Sequence, residues 1–154
     1  MRKPELSRDL RELLKAFVSN EVRFLVIGGH AVSAHGYPRF TKDLDLWVDL
    51  SPANAKNIVA AMKEFGFDFH GLSAEMFLDP DRMTQIGREP NRVDILTRIK
   101  GVEFGPCHDR RQLVEIDGTQ IPFIGRDDLV SNKRATGRLQ DLADVDQITK
   151  PPAP

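Results

Sequence analysis

Phe24-Leu-Val-Ile-Gly-Gly-His-Ala-Val-Ser-Ala-His-Gly-Tyr-Pro-Arg-Phe-Thr-Lys-Asp-Leu-Asp-Leu-Trp-Val48 is the stretch on which the reading of this chain turns. Its first residues complete a short apolar run, Val22 to Ile27, whose β-rich composition predicts a buried strand. Gly28-Gly29 ends that strand. His30 to His35 is small and mildly apolar, enough for about one and a half helical turns. Gly36-Tyr-Pro-Arg39 is a turn, and Thr41 to Val48 alternates polar with apolar, which predicts a second strand paired with the first. Residues two apart on a strand share a face. Asp43 and Asp45 therefore project side by side, while Leu44, Leu46 and Val48 face the core. Two carboxylates ~4 Å apart repel by about 1 kcal/mol in water and about 4 kcal/mol at an effective dielectric of about 20. A divalent cation relieves that repulsion, and carboxylate oxygens suit Mg²⁺ or Mn²⁺. Mg²⁺ commonly takes its other oxygens from substrate phosphates. The glycine turn fits that habit, because bare backbone N–H groups at Gly28 and Gly29, at the start of a helix, let an anion approach closely.

Working outward, a third acid, Asp94, stands in Arg92-Val-Asp-Ile-Leu96. An acid with apolar strand neighbours is uncommon unless it is paired or ligating. Arg82 to Ile86 and Arg92 to Leu96 predict an antiparallel pair around Gly87 and Pro90. Upstream, Pro4 opens an amphipathic helix whose Leu10, Leu13, Leu14 and Phe17 recur at helical spacing, with a stop at Asn20. Downstream, Ser51-Pro52 starts a helix that ends at Gly66, followed by a short Phe67–His70 strand and a small helix from Ser73. Leu113–Ile116 and Gln120–Ile124 flank an Asp117-Gly118 turn. Arg126 to Ile148 is helical, with Gly137 as a break or a loose point. The expected fold is therefore α/β (α+β): a mixed β-sheet flanked by helices, in a single domain over residues 1–149, with a disordered tail over 150–154.

Composition narrows the function classes. In 154 residues, 40% are hydrophobic and 29% charged, which is the profile of a folded globular chain. A formal net charge of −1 gives no whole-molecule field for wrapping DNA or coating a membrane. The single cysteine, Cys107, excludes an internal disulfide and a zinc–cysteine cluster. The charged N-terminus lacks a signal-peptide core, and no apolar run is long enough to span a bilayer. A cytoplasmic location is the expectation.

Gly28-Gly29, then Asp43-x-Asp45 after a short helix, then Asp94 on a later strand resembles the nucleotidyltransferase superfamily with the DNA polymerase β-type core. The pattern Gly-Gly-x-Ala-x-x-x-x-Gly-x-x-Arg-x-Thr-x-Asp-x-Asp is especially similar to the small bacterial members: the minimal nucleotidyltransferases and the toxin-type enzymes of abortive-infection systems. The tail Asn132-Lys133-x-x-x-Gly137-Arg138-x-x-Asp141-x-x-Asp144 resembles them too, so the likeness spans Phe24 to about Ile148. The resemblance implies transfer of an NMP group from an NTP to a hydroxyl on RNA, protein or a small molecule. Asp43, Asp45 and Asp94 would be catalytic and would hold two Mg²⁺ or Mn²⁺ ions; Asp94 would also help to activate the acceptor hydroxyl. Gly28, Gly29, His30, Arg39, Thr41 and Lys133 would meet the nucleotide. One departure stands out: many members carry Ser directly after the second glycine, where this chain has His30. A role in a toxin–antitoxin or phage-defence pair, with a cognate protein partner, comes with the same resemblance.

Plainer readings stand beside these. Asp43 and Asp45 could be solvated residues of an edge strand, and Asp94 could pair with Arg92 or Arg98. His30 and His35 read as packing residues, Trp47 as sheet packing, and Asp141, Asp144 and Asp146 as a solvated helix face bridged to Arg134 or Arg138. Cys107 and His108, adjacent on an extended segment, would face opposite ways, which speaks against a thiolate nucleophile. Two other functions compete. One is a catalytically weak nucleotide-binding antitoxin or regulatory partner of the same fold. The other is an aspartyl-nucleophile phosphatase, disfavoured because there the acids follow an apolar strand, whereas Asp43 and Asp45 precede Leu46-Trp-Val48. The P-loop and dinucleotide fingerprints are both missing.

Overall fold

The computed structural model describes residues 1–150; all but the first residue of the expected tail, 150–154, lies outside them. The helix α1 (Arg8–Ser19) begins later than Pro4 because Ser7 caps it, its Oγ accepting the Leu10 N–H at 3.3 Å. Leu10, Leu13, Leu14 and Phe17 form its buried stripe. Then follow β1 (Phe24–Ile27), buried throughout, α2 (Gly28–Ala34) and β2 (Asp43–Val48). In α3 (Pro52–Phe65) the Ser51 hydroxyl accepts the Asn54 N–H at 3.1 Å. At its far end Gly66 adopts φ +109°, and the Phe67 N–H turns back on the Met62 carbonyl at 2.8 Å. That closure explains why the expected Phe67–His70 strand is a loop: its first N–H finishes a helix, and β3 already forms this edge of the sheet.

A 3₁₀ turn (Ala74–Phe77) leads into β3 (Met83–Ile86) and β4 (Arg92–Leu96), the expected antiparallel pair. Next comes α4 (Phe104–Asp109), where an extended segment was expected. Its Phe104 and His108, four residues apart, share a helical face and stack at 5.3 Å, while Cys107 points inward and is fully buried. Strands β5 (Gln112–Ile116) and β6 (Thr119–Phe123) form a hairpin around Asp117-Gly118. The last helical stretch does break at Gly137 (φ +67°), into α5 (Arg126–Thr136) and α6 (Leu139–Thr149).

The six strands form one mixed sheet in the order β3-β4-β2-β1-β6-β5. Strand β1 runs antiparallel to β2 and parallel to β6, and β2 runs parallel to β4. Asn54, buried in α3, clamps the centre: its Oδ1 accepts the Arg23 N–H at 2.7 Å, and its Nδ2 donates to the Arg23 and Asp49 carbonyls. The chain is thereby held where it enters β1 and where it leaves β2. On one face of β2, Leu44, Leu46 and Val48 are buried; on the other, Trp47 packs edge-on against Phe104 with ring centroids 5.2 Å apart. Asp43 and Asp45 share Trp47's face. No helix among the described residues is long and apolar enough to cross a membrane.

Candidate active site

The parallel register of β2 and β4 sets Asp45 opposite Asp94 and Asp43 opposite Arg92. Two adjacent central strands thus deliver three carboxylates and one guanidinium to one end of the sheet. The glycines matter here in a way the sequence did not reveal. A Cβ on Gly28, whose φ is +69°, would lie 2.2 Å from Asp45 Oδ2, and one on Gly29 would lie 2.6 Å from Thr41 Oγ1. Both positions must be bare so that the protein's own Asp45 and Thr41 can pack against the start of α2. Thr41 in turn donates from Oγ1 to the Asp43 carbonyl at 3.2 Å.

The acids are held under electrostatic stress. Burial pushes the Asp45 carboxyl up to about 7, with Asp94 and then Asp43 adding to the rise and Lys133 opposing it. Asp43 is raised as well, by burial first and then by Asp94, against the pull of Arg92. Arg92 forks onto Asp94, its Nε 3.1 Å from Oδ1 and its Nη2 3.2 Å from Oδ2. The same Nε lies 3.5 Å from Asp43 Oδ1, which is buried without a hydrogen bond. Of the two arginines considered for Asp94, Arg92 is the partner; Arg98 pairs with Asp81.

A second charged group faces these acids from α5 and α6. Lys133 Nζ donates to Asp141 Oδ1 at 3.1 Å and to Asp144 Oδ2 at 3.0 Å. Asp141 also accepts from Thr136 and Arg138, and Asp144 from Gln140 and Arg39. Asp141 and Asp144 are 1% and 0% exposed, so the solvated face expected for them is corrected: they are the buried centre of an ion network. Burial alone would raise the Asp141 carboxyl, but hydrogen bonds from Arg138, Thr136 and Lys133 outweigh it and hold the group well below the usual range. Between the two charged groups lies a cleft of about 650 Å³. Gly28, Gly29, Arg39, Thr41, Lys133 and all three acids of the strands line it.

A family model described as "Nucleotidyl transferase of unknown function (DUF2204)" matches residues 6–151. The chain belongs to this nucleotidyltransferase family. Solved structures share the fold. The lincosamide antibiotic adenylyltransferase LnuA, bound to lincomycin, superimposes with a TM-score of 0.62 at 14% identity, over 96% of this chain and 98% of its own. The candidate nucleotidyltransferase TM1012 of Thermotoga maritima gives 0.59 at 16% identity, over 90% and 89%. An antigenic nucleotidyltransferase-like protein from Paracoccidioides brasiliensis gives 0.50 at 17% identity, over 93% and 77%. A comparison with curated proteins found no match.

Within this nucleotidyltransferase, His30 is the expected nucleotide contact that does not line the cleft. It borders a neighbouring hollow with Ser33 and Pro38, and burial, then Arg39, pushes its imidazole down to about 4. Arg39 and Lys133 do line the cleft, but each also carries a buried carboxylate, so their charge is already partly used. Sequence reasoning offered Arg92 only as a structural partner of Asp94, not as a resident of the site facing Asp43 as well. The signal was present: an arginine two positions before an acid on a strand shares its face. Cys107 sits on α4, not on an extended segment, and burial, then Asp128, pushes its thiol up to about 11.

Proposed function

We propose that this nucleotidyltransferase moves an NMP group from an NTP to an acceptor hydroxyl in the cleft between Asp43, Asp45 and Asp94 on one side and the Lys133 network on the other. The observation that carries the reading is that β2 and β4 bring Asp43, Asp45 and Asp94 to one side of a cleft at the Gly28-Gly29 bend, facing Lys133 and its ion network. Metal chemistry fits the donor set. All the donors are carboxylate oxygens, Asp43 Oδ1 is buried without a hydrogen-bond partner, and Asp45 is raised by burial first and then by its acidic neighbours. Among the described residues no three acids, histidines or cysteines already close about a common point, and Arg92 stands between Asp43 and Asp94. Asp43 and Asp45 would hold Mg²⁺ or Mn²⁺, two ions in all with Asp94 on one of them. Such ions lower the charge on the phosphates and sharpen the acceptor oxygen as a nucleophile. Arg39, Thr41, Lys133 and the Gly28-Gly29 backbone orient the polyphosphate. At α2's seven residues the dipole contribution is small, so the cationic side chains carry most of that task.

The acceptor is a hydroxyl on RNA, protein or a small molecule. LnuA, by its name, adenylylates a lincosamide antibiotic, and its chain is coextensive with this one. A small-molecule acceptor held by the cleft itself therefore needs no further domain.

A second reading has one observation in its favour. Arg92 already neutralises Asp94 through two hydrogen bonds, as expected of a low-turnover nucleotide-binding partner in a toxin–antitoxin or phage-defence pair. The test is incubation with each of four α-labelled NTPs, Mg²⁺ or Mn²⁺, and extracts containing RNA, protein and small hydroxyl compounds. Transfer of label that disappears in Asp43→Asn and Asp45→Asn supports the enzyme. Transfer surviving both changes sinks the site assignment. A stoichiometric protein partner without any transfer favours the second reading.

A further inference from the structure

We propose that Arg92 is a built-in counter-cation for the carboxylate cluster, one that a divalent ion must displace and that then turns to the polyphosphate. The proposal rests on the reading of the acids as a metal site and adds a competitor to it. Arg92 opens β4 in register with Asp43 across the β2–β4 ladder, two residues before Asp94 on the same face. Its reach to both acids therefore needs no backbone adjustment. Both Asp94 oxygens are taken by its planar fork, at 3.1 and 3.2 Å. Mg²⁺ needs carboxylate oxygens at about 2.0–2.1 Å, and its charge beside a guanidinium is unfavourable, so an ion drawn onto the lone pairs that face the cleft works against the fork that holds them.

Among the described residues the other cations lining the cleft form no ion pair with the three acids: Lys133 and Arg39 are held by Asp144, Arg138 by Asp141 and Arg98 by Asp81, while Lys100 pairs with none of Asp43, Asp45 and Asp94. Nor is Arg92 locked in place. Its side chain is 31% exposed and lines the cleft, and its contact with Asp43 is a 3.5 Å ion pair. Once released, a permanently charged side chain on a flexible stem faces the space where phosphates lie. Ion entry and phosphate capture are then coupled through one residue, and each raises the affinity for the other.

The experiment uses the full chain and three proteins: wild type, Arg92→Gln and Arg92→Lys. Mn²⁺ binding is read by calorimetry or electron paramagnetic resonance, and the Arg92 Nε–H resonance is followed in ¹⁵N-labelled wild type during a Mg²⁺ titration. Displacement predicts that both variants bind Mn²⁺ about tenfold or more tightly than wild type, because a hydrogen-bonded charged partner no longer has to be removed. Lysine is the discriminating case. It keeps the charge but not the fork, so an effect of charge at a distance would leave Arg92→Lys at the wild-type affinity. The Nε–H signal should move as Mg²⁺ is added. Unchanged or weaker Mn²⁺ binding in Arg92→Lys, or an Nε–H signal indifferent to Mg²⁺, overturns the proposal. If wild type and Arg92→Gln both fail to bind Mn²⁺ at millimolar concentration, the metal-site reading itself falls, and this inference with it.

Discussion

Asp45 is the residue on which the charge balance of the cleft is felt most. In an unfolded chain its carboxyl titrates near 4, while in the fold it is pushed up to about 7. Between those values the unfolded chain has released a proton that the folded chain keeps, so stability falls as pH rises from about 4 to about 7. Asp45→Asn removes that slope. Melts in chelator should show the variant close to wild type near pH 4 and increasingly more stable up to pH 7, while transfer activity is lost; parallel curves would contradict the assigned burial. Asp43 and Asp45 were legible from sequence because strand alternation alone fixes their shared face. The burial of Asp141 and Asp144 was not. Their helical spacing puts them on one face, but whether that face looks inward depends on partners the spacing cannot disclose. One of these, Arg39, lies 105 positions from Asp144 in the chain. The network makes Lys133 a structural residue as well as a proposed phosphate partner. Lys133→Ala strips a cation from two buried carboxylates and should cost about 3–5 kcal/mol in denaturant unfolding. An exposed lysine would cost far less.

At the scale of elements, the passage from β1 through Gly28-Gly29 into α2 and β2 is where local sequence and tertiary packing agree. Apolar run, glycine pair and alternating strand each announced their element, and both α3 caps stood in plain view as Ser51 and Gly66. Two elements were misread for a common reason. Phe67–His70 has strand-like residues but no neighbouring strand to receive it, and Cys107-His108, taken as extended, belongs to Phe104–Asp109, which contains Gly105 and Pro106 yet closes a helical turn under Trp47. Pairing and packing, which lie outside any short window, decided both. The glycine pair gives a sharp test of the junction. Gly28→Ala places a methyl group 2.2 Å from the Asp45 carboxylate in a left-handed backbone conformation. The combined overpacking and strain should destabilise the protein by about 2–4 kcal/mol. Gly36→Ala, at φ +113° but with open space around it, should cost less. Equal losses in urea titrations of the two variants would mean that backbone strain, not contact with Asp45, is what the glycine relieves.

For the molecule as a whole, a formal charge of −1 conceals a sorted distribution, acids at one wall of the cleft and a neutralised basic network at the other. A ligand that bridges the two walls should tighten the entire fold. At a hundredfold excess over its dissociation constant, a non-hydrolysable NTP with Mg²⁺ adds about 2.7 kcal/mol to stability. In a domain of this size that raises Tm by about 5–10 °C. Scanning calorimetry should show the rise in wild type and lose it in Asp43→Asn, Asp45→Asn; a rise that persists there would locate the nucleotide elsewhere.

The strand order carries a lesson for biosynthesis. Strand β1, the most apolar of the six, finds its second neighbour only in β6, about a hundred residues further along. While the ribosome is still making the intervening chain, one flank of β1 offers unsatisfied amides beside greasy side chains, a template for pairing between nascent chains. Messages cut short before residue 119 should therefore yield insoluble product, whereas the finished polypeptide seals its own most adhesive seam.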